Sequence, residues 1–154
     1  MKTAEQWIEE LNLQAHPEGG FYAETYRSET LLDGRASATS IYFLLRPNDI
    51  SHFHILDADE LWYFHSGTTV RVHQIDKGGH YSFTDLGQEG DLSILIPAQT
   101  TFAAEVLSDE GYVLVSCVVT PGFEFSKFHL YKRDELLDQF PKHAELIERF
   151  TPAE

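Results

Sequence analysis

Two histidines two residues apart, His52 and His54, are followed by Glu60 within the run HFHILDADE. On a regularly pleated strand the two imidazoles point to one face. Residues Ile55 to Asp59 can form a turn, and Glu60 then opens the next strand, where it can lie opposite the histidines. Two imidazoles and one carboxylate have two chemical uses. They form the two-histidine, one-carboxylate set that suits Fe(II), Mn(II), Ni(II) or Zn(II). They also supply an acid–base group, with a carboxylate to orient it and tune its pKa. Polar residues on a solvated strand face could show the same spacing. Burial is favoured here because Glu60 shares its face with Trp62 and Phe64, and a buried His or Glu needs a partner.

Other residues are candidates for supporting roles. Tyr26 with a histidine would make a dual acid–base pair, one group removing a proton beside a carbonyl and the other delivering it to the opposite face. Phe21 and Tyr22 either line a pocket mouth or pack as ordinary strand residues. Arg27, Arg46 and Arg71 are among the few basic residues, and an arginine facing a pocket fixes a carboxylate or phosphate; Arg46 is the candidate ligand-binding arginine. His16 reads as a turn residue making a local hydrogen bond. His65 falls on the face opposite Glu60. Phe123, Phe125 and Phe128 in PGFEFSKF read as packing or as a subunit contact. Cys117, the single cysteine, lies in the apolar run VLVSCVVT and reads as a small core residue.

The elements that position these residues follow from periodicity. Thr3 and Gln6 have capping-box spacing, and Trp7, Ile8 and Leu11 share one helical face, predicting a helix over 4–12. His16-Pro17-Glu18-Gly19-Gly20 ends it with a turn. From Phe21 the period is two. About ten short β-type runs follow to residue 131, with turn signals such as Asp33-Gly34, Pro47-Asn48-Asp49 and Lys77-Gly78-Gly79. That spacing predicts a sandwich or barrel. Residues 133–150 return to helical spacing, interrupted at Pro141.

The 154 residues fit one domain, 1–154, and 42% hydrophobic and 13% aromatic content suit a folded core. A formal charge of −14 argues against nucleic acid and anionic membrane surfaces as partners. The start, MKTAEQWIEEL, places acidic residues where a secretion signal would be apolar, and no run is long enough to span a bilayer. A cytoplasmic location is the expectation.

The sequence resembles the cupin superfamily. His52, His54, Glu60 and Gly67 match its first motif, with a spacer before Glu60 one residue longer than usual. Gly90 and Pro97 match the second motif, but Gln99 stands where a glycine is expected. Phe102 stands in place of the histidine that would be the fourth metal ligand. HPEGGFY, SIYFLL, IPA and LVSCVVTPGFEFSKF resemble the largely uncharacterised single-domain cupin-five branch over roughly residues 8 to 150. The resemblance implies an all-β jelly-roll barrel with short flanking helices, commonly a homodimer, without implying a settled activity.

Three functions follow. The first is an isomerase or epimerase of a sugar or nucleotide-sugar, with His54, Glu60 and Tyr26 as acid–base groups and His52, Trp62, Phe64, Phe102 and Arg46 as ligand contacts. The second is a non-enzymatic small-molecule binder or sensor. The third is an oxygenase or lyase whose divalent transition metal is held by His52, His54 and Glu60 alone.

Overall fold

A computed structural model describes residues 1–153. The amino-terminal helix α1 (Ala4–Glu10) begins where the capping box predicts: Thr3 accepts from the Gln6 N–H while the Gln6 side chain accepts from the Thr3 N–H. Thirteen strands follow: β1 (Gln14–Ala15), β2 (Phe21–Arg27), β3 (Leu31–Leu32), β4 (Arg35–Ala36), β5 (Thr39–Leu45), β6 (Ile50–Leu56), β7 (Asp59–Gly67), β8 (Val70–Ile75), β9 (Tyr81–Leu86), β10 (Ser93–Ile96), β11 (Thr101–Val106), β12 (Val113–Thr120) and β13 (Phe128–Leu130). Helices α2 (Arg133–Gln139) and α3 (Ala144–Arg149) close the chain, with a 3₁₀ turn at Pro141–His143 where the proline interrupts the helical pattern.

The long strands form two antiparallel sheets. One has the order β1-β2-β5-β12-β7-β10 and the other β13-β6-β11-β8-β9. This is the jelly-roll arrangement, all-β with short flanking helices, although the sheets are not closed into one hydrogen-bonded barrel among the described residues. Consecutive strands β6 and β7 belong to different sheets. The expected turn at Ile55 to Asp59 therefore does not lay β7 beside β6 in one sheet: the chain crosses between layers at Asp57-Ala58, and Glu60 faces His54 from the opposite sheet.

The core lies between the sheets, where Phe43, Leu45, Trp62, Val72, Phe102 and Val115 form its centre. Inward and outward residues alternate along β7, with Glu60 and Trp62 buried and Asp59 and Tyr63 exposed. Two satellite clusters cover the outer faces. Trp7, Ile8 and Leu11 pack with Leu44 and Leu114 of the six-stranded sheet. Leu136, Ile147 and Phe150 pack with Phe53, Ile75 and Ala103 of the five-stranded sheet.

Candidate functional site

A cavity of about 320 Å³ opens between the sheets at the end where β6 crosses to β7. The six-stranded sheet contributes Tyr22, Glu24 and Arg27 from β2, Thr39 and Ile41 from β5, Glu60 from β7, and Cys117 and Val119 from β12. The five-stranded sheet contributes His54 and Leu56 from β6 and Phe128 from β13. His16 and Glu18 enter from the turn before β2, and Phe123, Glu124 and Phe125 from the loop after β12.

The turn holding His16 and Glu18 is laid directly against β6. The Glu18 carbonyl accepts the His52 N–H at 2.7 Å, and the His52 ring Nδ1 donates to the same oxygen at 2.9 Å. This approach needs Gly19, which has φ +111°; a Cβ there would sit 1.8 Å from the Ile50 carbonyl oxygen. The Glu18 carboxylate is thereby buried beside three groups. It accepts from the Ser51 hydroxyl, lies 3.3 Å from His16 Nδ1 and lies 3.6 Å from His54 Nε2.

The strand itself decides which histidine enters the cavity. The β6–β11 register shifts by one residue, so His54 pairs with Phe102 while Ser51 pairs with Ala104. Such a bulge places two residues of one strand opposite one of the other and breaks the period of two. Ser51 and His54, three apart, both face inward, while Phe53 packs under the helices. The expectation that His52 and His54 present their rings side by side is corrected. His52 lies outside the cavity lining, its Nδ1 engaged by the Glu18 carbonyl.

His54 is only 2% exposed, and its Nδ1 lies 2.8 Å from the His52 carbonyl oxygen. A carbonyl only accepts, so Nδ1 carries the proton and Nε2 keeps its lone pair. Burial pushes the imidazole pKa down to about 4, which keeps it neutral near pH 7. The Phe102 ring lies against it with centroids 4.1 Å apart. Glu60 is 7% exposed and accepts from Trp62 Nε1 at 2.6 Å. Burial first, then the charge of Glu18, push its pKa up to about 8 despite that hydrogen bond. Glu18 is likewise pushed up by burial, and His16 pushed down. Cys117 is buried beside Glu60, and burial raises its thiol pKa well above the ordinary value, so the core reading of this cysteine agrees with its environment.

The other expected site residues scatter. Trp62 is a core residue that serves as the hydrogen-bond donor to Glu60, and Phe64 packs against the same core. Phe102 sits beside His54 as strand register requires. Tyr26 is 56% exposed and is not part of the cavity lining, because a register shift in β2 between Glu24 and Tyr26 separates it from the inward-facing residues. Arg46 lies at the far end of β5, hydrogen-bonded to Asp49 and stacked over Phe21. Arg71 pairs with Asp85 through two hydrogen bonds. A separate histidine–carboxylate pair, His73 and Glu105, meets at 2.7 Å, and neither residue lines the cavity.

The donor set does not fit a divalent ion. His52 is turned away, Phe102 occupies the place of a fourth ligand, and a Glu60 oxygen is held by Trp62. No group of three His, Cys, Asp or Glu side chains among the described residues is arranged to hold a metal.

Reading residues alone missed Glu18, and it assigned His16, Phe123, Phe125 and Phe128 to local bonding or packing. The available signal was the glycine pair at 19–20. Two consecutive glycines before a strand allow an abnormally close backbone approach, and polar residues preceding them are carried inward with it.

An open jelly roll with buried polar groups in a cavity between its sheets is the cupin architecture. A family model described as the cupin superfamily (DUF985) matches residues 5–131, and the chain belongs to that family. A crystallised protein from Shewanella oneidensis is similar over 100% of both chains, with 38% identity and a TM-score of 0.95. A hypothetical protein from Leishmania major is 33% identical with a TM-score of 0.93, covering 99% of this chain and 100% of its own. Oxalate decarboxylase from Bacillus subtilis shares the fold at 18% identity and a TM-score of 0.62, over 91% of this chain and 37% of that one. No curated protein matches the sequence. No helix among the described residues is long and apolar enough to cross a membrane.

Proposed function

We propose that the cavity catalyses proton transfer on a small carbonyl compound, as an isomerase or epimerase. The observation that carries this reading is the pair His54 and Glu60. They line one cavity from opposite sheets, one a neutral base with a free Nε2 and the other a carboxyl group with a pKa of about 8. A base and an acid that coexist near pH 7 on two walls are what removing and returning a proton on opposite faces of a carbon requires. Glu18, 3.6 Å from His54 Nε2, would receive or supply the proton of that imidazole. Tyr26 is not needed for this chemistry. A sugar-sized substrate suits the volume of about 320 Å³. The nucleotide-sugar form has less support, since a diphosphate needs cations and Arg27 is the sole lysine or arginine of the lining.

Solvent-deuterium exchange tests the reading. Purified protein is incubated in heavy water with a panel of aldoses, ketoses and amino-ketones, and proton NMR follows loss of the signal beside the carbonyl. Exchange is expected for at least one class, and His54→Ala and Glu60→Gln each slow it by about 10²-fold or more. Binding of a panel member without exchange would favour the binder or sensor. Exchange that both variants retain would refute the assignment of the acid and base.

A further inference from the structure

The cavity lining is short of basic groups, which the proton-transfer pair alone does not explain. Four glutamates line it, Glu18, Glu24, Glu60 and Glu124, against the single guanidinium of Arg27. Arg27 is already committed. Its Nε and Nη2 donate to Glu24 at 3.2 and 2.7 Å, and Nη2 also donates to the Phe123 carbonyl at 3.1 Å. Setting that pair aside leaves Glu18, Glu60 and Glu124 facing a chamber with no further lysine or arginine in its lining. A carboxylate accepts up to about four hydrogen bonds. Glu18 receives one from the Ser51 hydroxyl; Glu60 receives one from the Trp62 indole and, as a neutral carboxyl group, contributes a polar oxygen and no charge. Both are more than nine-tenths buried, and Glu18 has accepting capacity to spare.

The remaining wall is aromatic. Phe123, Phe125 and Phe128 cluster at the rim with centroids 4.8 to 6.1 Å apart, and Tyr22 lies deeper against His16. Ring faces carry partial negative charge. A cleft with carboxyl groups, ring faces and one neutralised arginine repels phosphates and carboxylates and attracts positive charge.

We infer that the ligand of this cavity carries a cationic nitrogen, as a small organic amine or quaternary ammonium compound, held between Glu18 within and Glu124 with the phenylalanine rings at the rim. The inference rests on the proton-transfer reading for what the bound molecule then undergoes. The two fit together chemically: a cationic nitrogen beside a carbonyl acidifies the C–H bond between them, which is the bond to be broken.

The test compares charged and uncharged molecules of one shape. Choline is titrated against 3,3-dimethylbutan-1-ol, and ethanolamine against propan-1-ol, while NMR follows the Trp62 indole N–H that donates to Glu60. At least one cation is expected to shift this resonance saturably, with a Kd at least about tenfold below that of its neutral counterpart. Glu124→Gln at the rim is expected to weaken the cation several-fold and leave the alcohol unchanged. Equal affinities within both pairs, or no saturable shift with either cation, would overturn the inference. The two failures are separable. Proton exchange on neutral sugars without charge preference refutes the cationic ligand alone. Charge preference without exchange on any aldose, ketose or amino-ketone of the panel refutes proton transfer alone.

Discussion

Replacing Glu60 by glutamine should change how stability depends on pH. The carboxyl pKa of Glu60 rises from 4.5 to about 8 on folding, so the folded chain holds this proton more tightly than the unfolded chain. Below pH 4.5 both states are protonated and no penalty exists. Between 4.5 and 8 the unfolded chain ionises while the folded chain does not, and stability falls by about 1.4 kcal/mol per pH unit. The loss reaches about 3 kcal/mol at pH 7 and levels near 5 kcal/mol above pH 8. Glutamine retains the oxygen that accepts from Trp62 Nε1 and cannot ionise, so the variant escapes this slope. His54 runs the other way. Its pKa falls from 6.5 to about 4, so its contribution is complete above 6.5 and is lost as pH falls toward 4. The two slopes offset between pH 4.5 and 6.5 in the native protein and separate in the variant. Urea denaturation of both proteins from pH 5 to 9 reads the difference directly. Glu60→Gln should gain on the parent steadily toward pH 8. Parallel curves, with a constant difference across that range, would refute burial as the force that holds Glu60 protonated.

Further outcomes follow from the same geometry. Phe102→Ala removes a 1% exposed ring packed on His54 and should cost about 3–5 kcal/mol in urea denaturation; a loss under about 1 kcal/mol would mean the cavity wall does not depend on it. Gly19→Ala meets both the positive φ and the Ile50 carbonyl, and should cost on the order of 3 kcal/mol while broadening the His52 amide resonance. Added Mn(II), Fe(II) or Zn(II) should give no rise in Tm that depends on His54; a saturable rise lost in His54→Ala would overturn the reading of the donor set.

Much of the architecture is written locally. Thr3 with Gln6 starts α1, Pro141 breaks the last helical segment, and the period of two along Glu60, Trp62 and Phe64 puts those residues inside. The polar pair at the site is also visible in the types and spacing of His54 and Glu60. What escapes is whatever depends on partners far along the chain. A bulge is a mismatch between two strands, so neither SHFHIL nor TFAAEV alone shows that His52 turns away while Ser51 turns in. Which sheet a strand joins is also non-local, and a turn that can close a hairpin can equally cross between layers, as it does before Glu60. Glu18 is hidden by composition: a carboxylate in a Pro-Glu-Gly-Gly turn has the surface signature of an exposed loop. Only the fit of Gly19 against Ile50 makes it interior.

The stapling of the Glu18 turn to β6 has a bearing on redesign. Because the Glu18 carbonyl holds both the His52 N–H and the His52 ring, and Gly19 leaves no room above Ile50, the inner wall is preorganised and resists remodelling. The rim is built differently. Its backbone is tied at Gly122 and Phe123 by Arg35, Ala36 and Thr39, while Phe125, in the 3₁₀ turn that follows, is 53% exposed. Libraries aimed at a new ligand should therefore vary residues 124–127 first and leave residues 16–20 intact, since selectivity can be altered at the entrance without disturbing the groups that hold the protons.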